Sequence, residues 1–230
     1  MGKGINVLSL FDGISCGQLA LRQAGIKVDK YFSCEINKAA SLVARSNFPD
    51  MISLGDITET FWTGQRFELK NGDGWLETPS YGKIDILMGG SPCQDISSLS
   101  STMKGLEGIQ SSLFYHFLRL YKETKPKYFL LENVQGKKTA TKAITKMMGV
   151  KPFRFNSNLV SGQNRKRLYW TNIPVNRMPE PKTVLLKDIL ETDVDEKFFL
   201  KNGRLKWLLG ESGQNSVKKT FTNIDAEKAG

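Results

Sequence analysis

Short apolar runs alternate with segments of helical periodicity along the first 150 residues. The apolar runs predict buried strands over residues 5–10, 31–34, 51–54, 84–87 and 128–131. The periodic segments between and after them predict helices over residues 18–24, 38–47, 111–122 and 138–148. Strands interleaved with helices in this way are typical of a doubly wound, mostly parallel sheet of the α/β class.

Polar residues follow the predicted strands. In a parallel sheet, ligands bind outside the carboxyl ends of the strands. This rule brings the turn FDGIS, Glu35, Asp56, the loop around Cys93 and Glu132 to one edge of the sheet. Residues 62–81, rich in glycine and interrupted by Pro79, predict a surface insertion.

The first turn indicates what kind of ligand this edge would bind. The sequence FDGISCG lacks the G-x-G-x-x-G pattern of dinucleotide sites, and the Asp12 carboxylate would repel a phosphate. Such a turn suits a cofactor with a cationic amino-acid portion, such as S-adenosylmethionine. Glu35 is then placed to accept hydrogen bonds from the ribose hydroxyls, and Asp56 from an adenine amino group. The alternative is that these three acids are merely solvated residues at strand ends.

Composition narrows the classes of function. The net charge of +10 and the pI near 9.5 favour a polyanionic partner, although a solvated basic surface would give the same excess. Three widely spaced cysteines and one histidine form neither a disulfide framework nor a zinc pattern. No apolar run approaches the roughly 20 residues of a membrane span, and the N-terminus lacks a signal-peptide layout. We therefore expect an intracellular protein, in the cytoplasm or elsewhere inside the cell.

Seven stretches occur in an order that resembles the motif series of the DNA (cytosine-5)-methyltransferases, both the phage and bacterial members and the eukaryotic de novo members. They are SLFDGIS, EIN, GDITE, GGSPCQDIS, GLEGIQSSLF, FLLENV and GQNRKRLYW. The resemblance implies a Rossmann-like class I methyltransferase fold, S-adenosylmethionine as cofactor, and methyl transfer to C5 of a cytosine flipped out of double-stranded DNA. The cofactor-binding residues that it implies are Phe11, Asp12, Gly13, Ile14, Glu35, Ile36, Asp56, Ile57 and Leu113.

The same chemistry explains the residue types around Cys93. Cytosine C5 is too weak a nucleophile to take a methyl group unaided, and addition of a thiolate at C6 activates it. We therefore predict Cys93 as the nucleophile, whereas Cys16 and Cys34 better fit buried, inert cysteines. Glu132 would donate a proton to N3 of the ring as the adduct forms, and Asn133 would orient it.

Two arginines complete the predicted catalytic set. In the run Gln163 to Arg167, alternate residues of a strand would share a face, which groups Gln163, Arg165 and Arg167. The resemblance gives Arg165 the contact to the base O2 and to the glutamate, and Arg167 a supporting or phosphate-binding role. On spacing alone, a basic surface strand explains the run equally well.

The likeness to the family weakens toward the C-terminus. We predict a catalytic domain over residues 1–175 and the incomplete start of a target-recognition region over 176–230, poorly packed unless a partner covers it. A truncated chain, one subunit of a split enzyme whose partner supplies recognition and the closing cofactor motif, and a degenerate copy all fit this pattern. Two other functions stay open: a non-catalytic accessory subunit, and an RNA cytosine methyltransferase.

Overall fold

The computed structural model describes residues 4–92, 113–136 and 138–199. The chain divides into two compact units, Met1–Phe153 with Leu168–Pro174, and Arg154–Arg167 with Val175–Gly230. The division is thus discontinuous in sequence, and the predicted single boundary at residue 175 stays a prediction. None of the helices in the described stretches has the length and apolar character needed to cross a lipid bilayer.

Helices and strands alternate through most of the first unit. The strands are β1 (Ile5–Leu10), β2 (Val28–Cys34), β3 (Ile52–Gly55), β4 (Thr60–Trp62), β5 (Phe67–Asn71), β6 (Gly74–Glu77), β7 (Ile86–Gly89), β8 (Tyr128–Val134), β9 (Phe153–Asn156) and β10 (Lys166–Thr171). The α-helices are α1 (Cys16–Gln23), α2 (Lys38–Asn47), α3 (Leu113–Thr124) and α4 (Lys138–Met148). Short 3-10 turns cover Ile57–Glu59, Ser157–Leu159, Leu186–Ile189 and Glu196–Phe198.

The main sheet has the strand order β3-β2-β1-β7-β8-β10-β9. Strand β1 pairs in parallel with β2 and β7, β2 pairs in parallel with β3, and β7 with β8. The order reverses at β1, which is the topological switch point of a doubly wound fold. The predicted α/β class and mostly parallel sheet are therefore confirmed.

The two faces of this sheet are packed by different helices. Alternate residues point to opposite faces, so Leu8 and Phe32 join one buried cluster, whereas Val7 and Tyr31 join another. Buried apolar side chains of α3 and α4 belong to the first cluster. The second cluster instead receives Leu21 from α1 and one alanine from α2. The larger core thus lies on the α3 and α4 face.

The insertion between β3 and β7 is itself folded. Strands β4, β5 and β6 form a three-stranded antiparallel sheet. Trp62 and Phe67 are buried in the larger core, where the ring centroid of Phe67 lies 4.9 Å from that of Phe32. The prediction of a plain surface insertion was therefore wrong for these two residues, because their apolar side chains anchor the small sheet.

The described part of the second unit contains little regular structure besides the ends of β9 and β10. Its 3-10 turns are held locally; for example, the Leu185 amide donates to the Asp188 carboxylate at 2.9 Å. Phe198 and Phe199 are 69% and 59% exposed. The loose packing expected for the segment beyond residue 176 stays a prediction.

Candidate active site

The carboxyl ends of five strand segments line up across the sheet. The backbone register sets Leu10 opposite Cys34 and Gly89, Cys34 opposite Gly55, and Gly89 opposite Leu131. The next residue along each strand therefore belongs to one row. That row is Phe11, Glu35, Asp56, Gly90 and Glu132. The common edge predicted from the sequence is thus formed by all of its described members, while Cys93 lies outside the described residues.

A cavity of about 210 Å³ opens at the β1–β3 end of this row. It is lined by predicted cofactor residues from three strand ends and from α3, namely Phe11, Glu35, Ile36, Asp56, Ile57 and Leu113. Cys34, Gly55, Thr58 and Pro92 complete the lining. Apolar walls with two carboxylates at the edge fit an adenosine group, which presents a flat ring and polar ribose and amino groups. The cofactor assignments nevertheless stay predictions.

Asp12, Gly13 and Ile14 are not part of this lining, and Asp12 has protein partners of its own. Its carboxylate accepts hydrogen bonds from the hydroxyls of Ser9 at 2.6 Å, Tyr31 at 2.7 Å and Ser33 at 2.8 Å. A fourth hydroxyl, that of Ser15, also donates to it. Two carboxylate oxygens have about four acceptor sites, so the four hydroxyls occupy the acceptor capacity of Asp12. Its predicted contact with the cofactor stays a prediction, and its observed role is to anchor the turn.

The anchored turn has an unusual backbone. Phe11, Gly13 and Ser15 have φ angles of 56°, 60° and 62°, a region that costs energy for residues other than glycine. The hydrogen bonds to Asp12 offset that strain. Burial, followed by the charge of Asp12, raises the pKa of Tyr31 well above its usual value. Tyr31 therefore remains a hydrogen-bond donor to Asp12 at neutral and moderately alkaline pH.

Glu35 joins the first turn to the second strand. Its carboxylate accepts hydrogen bonds from the Gly13 amide at 2.8 Å and from the Asn37 amide at 2.7 Å. The side chain is therefore fixed at the cavity before any ligand arrives. Each carboxylate oxygen keeps acceptor capacity toward a ribose hydroxyl, as the predicted role requires.

Asp56 caps the 3-10 turn that forms the far wall of the cavity. One of its oxygens accepts from the Thr58 amide at 2.8 Å and from the Thr58 hydroxyl at 2.9 Å. The other end of that turn is held by Arg119 of α3, which donates to the carbonyls of Ile57 at 3.0 Å and Thr60 at 2.7 Å. Sequence reasoning missed Arg119, since nothing in its local pattern distinguishes it from a surface arginine.

The β7–β8 end of the row is built around a close approach of Gly90 to Glu132. A Cβ atom on Gly90 would lie 2.7 Å from a Glu132 carboxylate oxygen, so any side chain at residue 90 would displace it. Gly89 is equally restricted, because a Cβ there would lie 2.6 Å from the Leu10 carbonyl oxygen. These are packing requirements within the protein.

Asn133 ties the stem of the Cys93 loop to the strand that carries Glu132. Its buried side-chain amide donates to the Ser91 carbonyl at 2.9 Å and the Ser91 hydroxyl at 3.1 Å. Ser91 and Pro92 are the last described residues before Cys93. The described hydrogen bonds of Asn133 thus hold the loop, whereas the sequence had suggested that it orients Glu132.

The other two cysteines differ from each other. Cys34 is buried, and burial raises the pKa of its thiol to about 12, so it is inert as predicted. The prediction that Cys16 is buried was wrong: it is exposed at the first position of α1. The apolar residues around it in sequence belong to a short helix with only Leu21 buried.

Arg165 and Arg167 belong to the second unit. Strand β10 begins only at Lys166, so the prediction that Gln163, Arg165 and Arg167 alternate along one strand was wrong. Local hydrogen bonds explain the difference, because Ser157 donates through its hydroxyl to the Gln163 carbonyl and through its amide to the Arg165 carbonyl. These bonds tie residues 163–165 to Ser157 before the strand starts.

The doubly wound sheet has the architecture of the Rossmann-like class I methyltransferase fold. The family described as C-5 cytosine-specific DNA methylase matches residues 5–228. The chain therefore belongs to the C-5 cytosine-specific DNA methylase family.

Individual relatives agree with this assignment. The chain is 26% identical to the orphan methyltransferase M.SPRI of Bacillus phage SPR, over 96% of this chain and 58% of that protein. It is 30% identical to the type II methyltransferase M.NgoBV of Neisseria gonorrhoeae, over 94% and 53%. A shorter match, 36% identical over 51% of this chain and 18% of the relative, is to the DNA (cytosine-5)-methyltransferase DRM2 of Arabidopsis thaliana. The chain thus spans between half and three fifths of the two bacterial and phage relatives.

Proposed function

We propose that this chain transfers a methyl group from S-adenosylmethionine to C5 of cytosine in double-stranded DNA. One observation carries the proposal. The stem of the Cys93 loop, Gly90 to Pro92, lies beside Glu132 at the same sheet edge as the cavity lined by Glu35 and Asp56. A nucleophile, an acid and a cofactor cavity are the parts that this reaction needs.

The covalent step begins at Cys93. Its thiolate forms a bond to C6 of the flipped cytosine, and the electron pair of the C5–C6 double bond becomes available at C5. A bound S-adenosylmethionine would supply the methyl group to C5, and the former bonding pair would leave with its sulfur. Loss of the C5 proton to water and expulsion of the Cys93 thiolate then restore the C5–C6 double bond, and the proton that Glu132 donates to N3 during the addition returns to Glu132.

Glu132 assists this addition. Attack at C6 pushes electron density toward N3 and O2, so a proton donated to N3 in the transition state is worth more than a contact made equally in the ground state. Asn133 contributes indirectly, because its hydrogen bonds to Ser91 fix the base of the Cys93 loop next to the Glu132 strand. We assign Asn133 a positioning role.

Members of this family use S-adenosylmethionine, which supplies an electrophilic methyl group. The residues that would hold it are those lining the cavity, with Glu35 accepting from the ribose hydroxyls and Asp56 from the adenine amino group. Phe11, Ile36, Ile57 and Leu113 would pack on the adenosine. Asp12, Gly13 and Ile14 would act through the shape of the turn that faces the methionine portion.

The DNA substrate requires further groups. A stacked cytosine cannot reach Cys93, so the base must be flipped out of the duplex. We assign Arg165 to the base O2, and Arg167 to the phosphate backbone or to support of the loop, following the resemblance of GQNRKRLYW to the family motif.

A second candidate is a partner-dependent subunit of a split methyltransferase. The chain spans 58% and 53% of two relatives that it matches along almost its full length. Under this alternative, a second polypeptide would supply target recognition and the closing part of the cofactor site. The catalytic chemistry would be unchanged.

Covalent trapping tests the proposal. A DNA duplex containing 5-fluorocytosine blocks the final proton loss, so the enzyme should form a stable adduct in the presence of S-adenosylmethionine. Cys93→Ser should abolish the adduct, whereas Cys16→Ser, the matched variant of an exposed cysteine, should retain it. An adduct seen only after addition of a partner protein supports the split enzyme. An adduct formed with 5-fluorocytosine RNA and not with DNA would refute the DNA assignment.

A further inference from the structure

The entire net charge of the chain comes from one segment that lacks acidic residues. Residues 133–179 contain ten Lys and Arg residues and no Asp or Glu. Outside the segment, 23 Lys and Arg residues are balanced by the 23 Asp and Glu residues of the chain. The basic pI is therefore a local property, and helix α4 falls within the segment that causes it.

Helix α4 separates its apolar and basic residues by face. Ala140, Ile144 and Met148 are buried in the core. Lys138, Lys142 and Lys146 have the same four-residue spacing, and each lies two positions before one of these buried residues. All three lysines are exposed. Two positions correspond to about 200° around a helix, so the lysines form one stripe opposite the buried face. We call these three residues the α4 lysine stripe.

This arrangement is electrostatically unfavourable for the helix alone. Like charges spaced four residues apart repel, and a lysine in the first turn lies at the positive end of the helix dipole. None of the ion pairs found among the described residues involves the α4 lysine stripe. A polyanion would remove the repulsion between the lysines.

The stripe begins close to the proposed active site. Strand β8, which carries Glu132, ends at Val134, and α4 starts four residues later at Lys138. With a rise of 1.5 Å per residue, the stripe extends about 12 Å from that sheet edge, with about 6 Å between successive lysines. A phosphate backbone that enters at the edge could contact more than one of them.

We propose that the α4 lysine stripe is a phosphate-binding surface for the DNA duplex outside the catalytic cleft. The inference rests on the proposed function, since it names a second contact of the same substrate. Lysine ammonium groups bind phosphates as point charges without reading sequence, so the stripe contributes affinity and orientation rather than choice of target. A membrane surface is disfavoured, because the apolar face that such a helix would insert is already buried in the core.

Salt-dependent DNA binding tests this surface. The variant carries Lys138→Gln, Lys142→Gln and Lys146→Gln, because glutamine keeps helix propensity and removes charge. Its control carries Lys27→Gln, Lys30→Gln and Lys70→Gln, which removes the same charge from exposed positions elsewhere. Affinity for a fluorescent, mixed-sequence duplex is measured over a series of salt concentrations.

The stripe variant should weaken binding to all sequences alike. The plot of log affinity against log salt should become less steep by about two to three units, close to one unit for each lysine–phosphate interaction that the variant removes. The control should keep the wild-type slope. Equal slopes in the two variants would overturn the inference. Trapping on a 5-fluorocytosine duplex at low salt separates this result from the proposed function: an adduct in the wild type with equal slopes refutes the stripe alone, and no adduct in the wild type refutes the proposed function.

Discussion

The two ends of the active-site edge are built on different principles. At the β1–β3 end, hydroxyls and backbone amides satisfy the acidic side chains, as in the four hydroxyl bonds to Asp12 and the two amide bonds to Glu35. At the β7–β8 end, close packing dominates, with Gly90 against Glu132 and Asn133 holding Ser91. Under the proposed function, the first end would bind the cofactor and the second would place the reactive groups.

This difference predicts that substitutions at the two ends will affect different quantities. Changes at the β1–β3 end should alter cofactor affinity, whereas changes at the β7–β8 end should alter turnover. Glu35 and Glu132 provide a matched test, because they are the same residue type in the same row of the sheet.

The largest effect is expected for Glu132→Gln. Loss of the proton donor should lower turnover by about 10²- to 10⁴-fold, the usual contribution of a general acid. The dissociation constant for S-adenosylmethionine, measured by calorimetry, should stay at the wild-type value. A variant that loses cofactor affinity and keeps turnover would reverse the assignment of the two ends.

The next effect is expected for Glu35→Gln. Hydrogen bonds to a charged group contribute about 1.5–3 kcal/mol, so cofactor affinity should fall by roughly 10- to 100-fold. Turnover at saturating S-adenosylmethionine should change little, because Glu35 does not touch the reacting atoms. If turnover stays low at saturating S-adenosylmethionine, the two ends of the edge do not have separate effects on cofactor affinity and turnover.

A smaller effect is expected for Gly90→Ala. The added Cβ would lie 2.7 Å from a Glu132 oxygen, so the carboxylate must move, at a cost of about 1–3 kcal/mol in the free energy of unfolding. Turnover should fall with Glu132 misplaced, and cofactor affinity should not. Gly74→Ala is the control, since the nearest atom to its Cβ would be 3.7 Å away. Normal turnover in Gly90→Ala would argue against a catalytic Glu132.

The smallest effect is expected for Tyr31→Phe, which removes one of the four hydroxyl donors to Asp12. A hydrogen bond to a carboxylate contributes about 1.5–3 kcal/mol, and three other hydroxyl donors to Asp12 remain, so we expect a loss near the lower limit. The midpoint of thermal unfolding should therefore fall by about 3–6 °C. Cofactor affinity should fall severalfold as the first turn loosens. Tyr121→Phe serves as the comparison, because Tyr121 packs its ring against Phe129 in the same unit. Equal losses of cofactor affinity in both variants would show that the turn has no specific role in cofactor binding.

Local sequence patterns were sufficient for much of the fold. The predicted helices at residues 38–47 and 138–148 match α2 and α4. Strand bounds shifted by two or three residues, as for β7, because an apolar run does not show which of its residues pair with neighbours. The insertion was harder, since its three short strands are stabilised by the burial of Trp62 and Phe67 in a distant core.

The candidate site likewise contains residues that the sequence could predict and contacts that it could not. Glu35, Asp56 and Glu132 could be found from the sequence because each follows or ends an apolar run. Ser9 and Ser33 also had a signal, as small polar residues within buried strands, but their shared partner Asp12 becomes apparent only when β1 and β2 pair. The prediction of a strand at Arg165 was wrong because β10 begins only at Lys166, and the Arg165 carbonyl instead accepts a hydrogen bond from the Ser157 amide, eight residues earlier.

The sequence by itself determined the α/β class, the order of the elements and the residue types that the chemistry requires, because each of these depends on short-range periodicity or on intrinsic reactivity. Only the tertiary structure decided which groups meet: the hydroxyls that converge on Asp12, Gly90 beneath Glu132, and Arg119 at the end of the Asp56 turn. These contacts join residues far apart in the chain, and strand register and side-chain packing, which no local pattern encodes, bring them together.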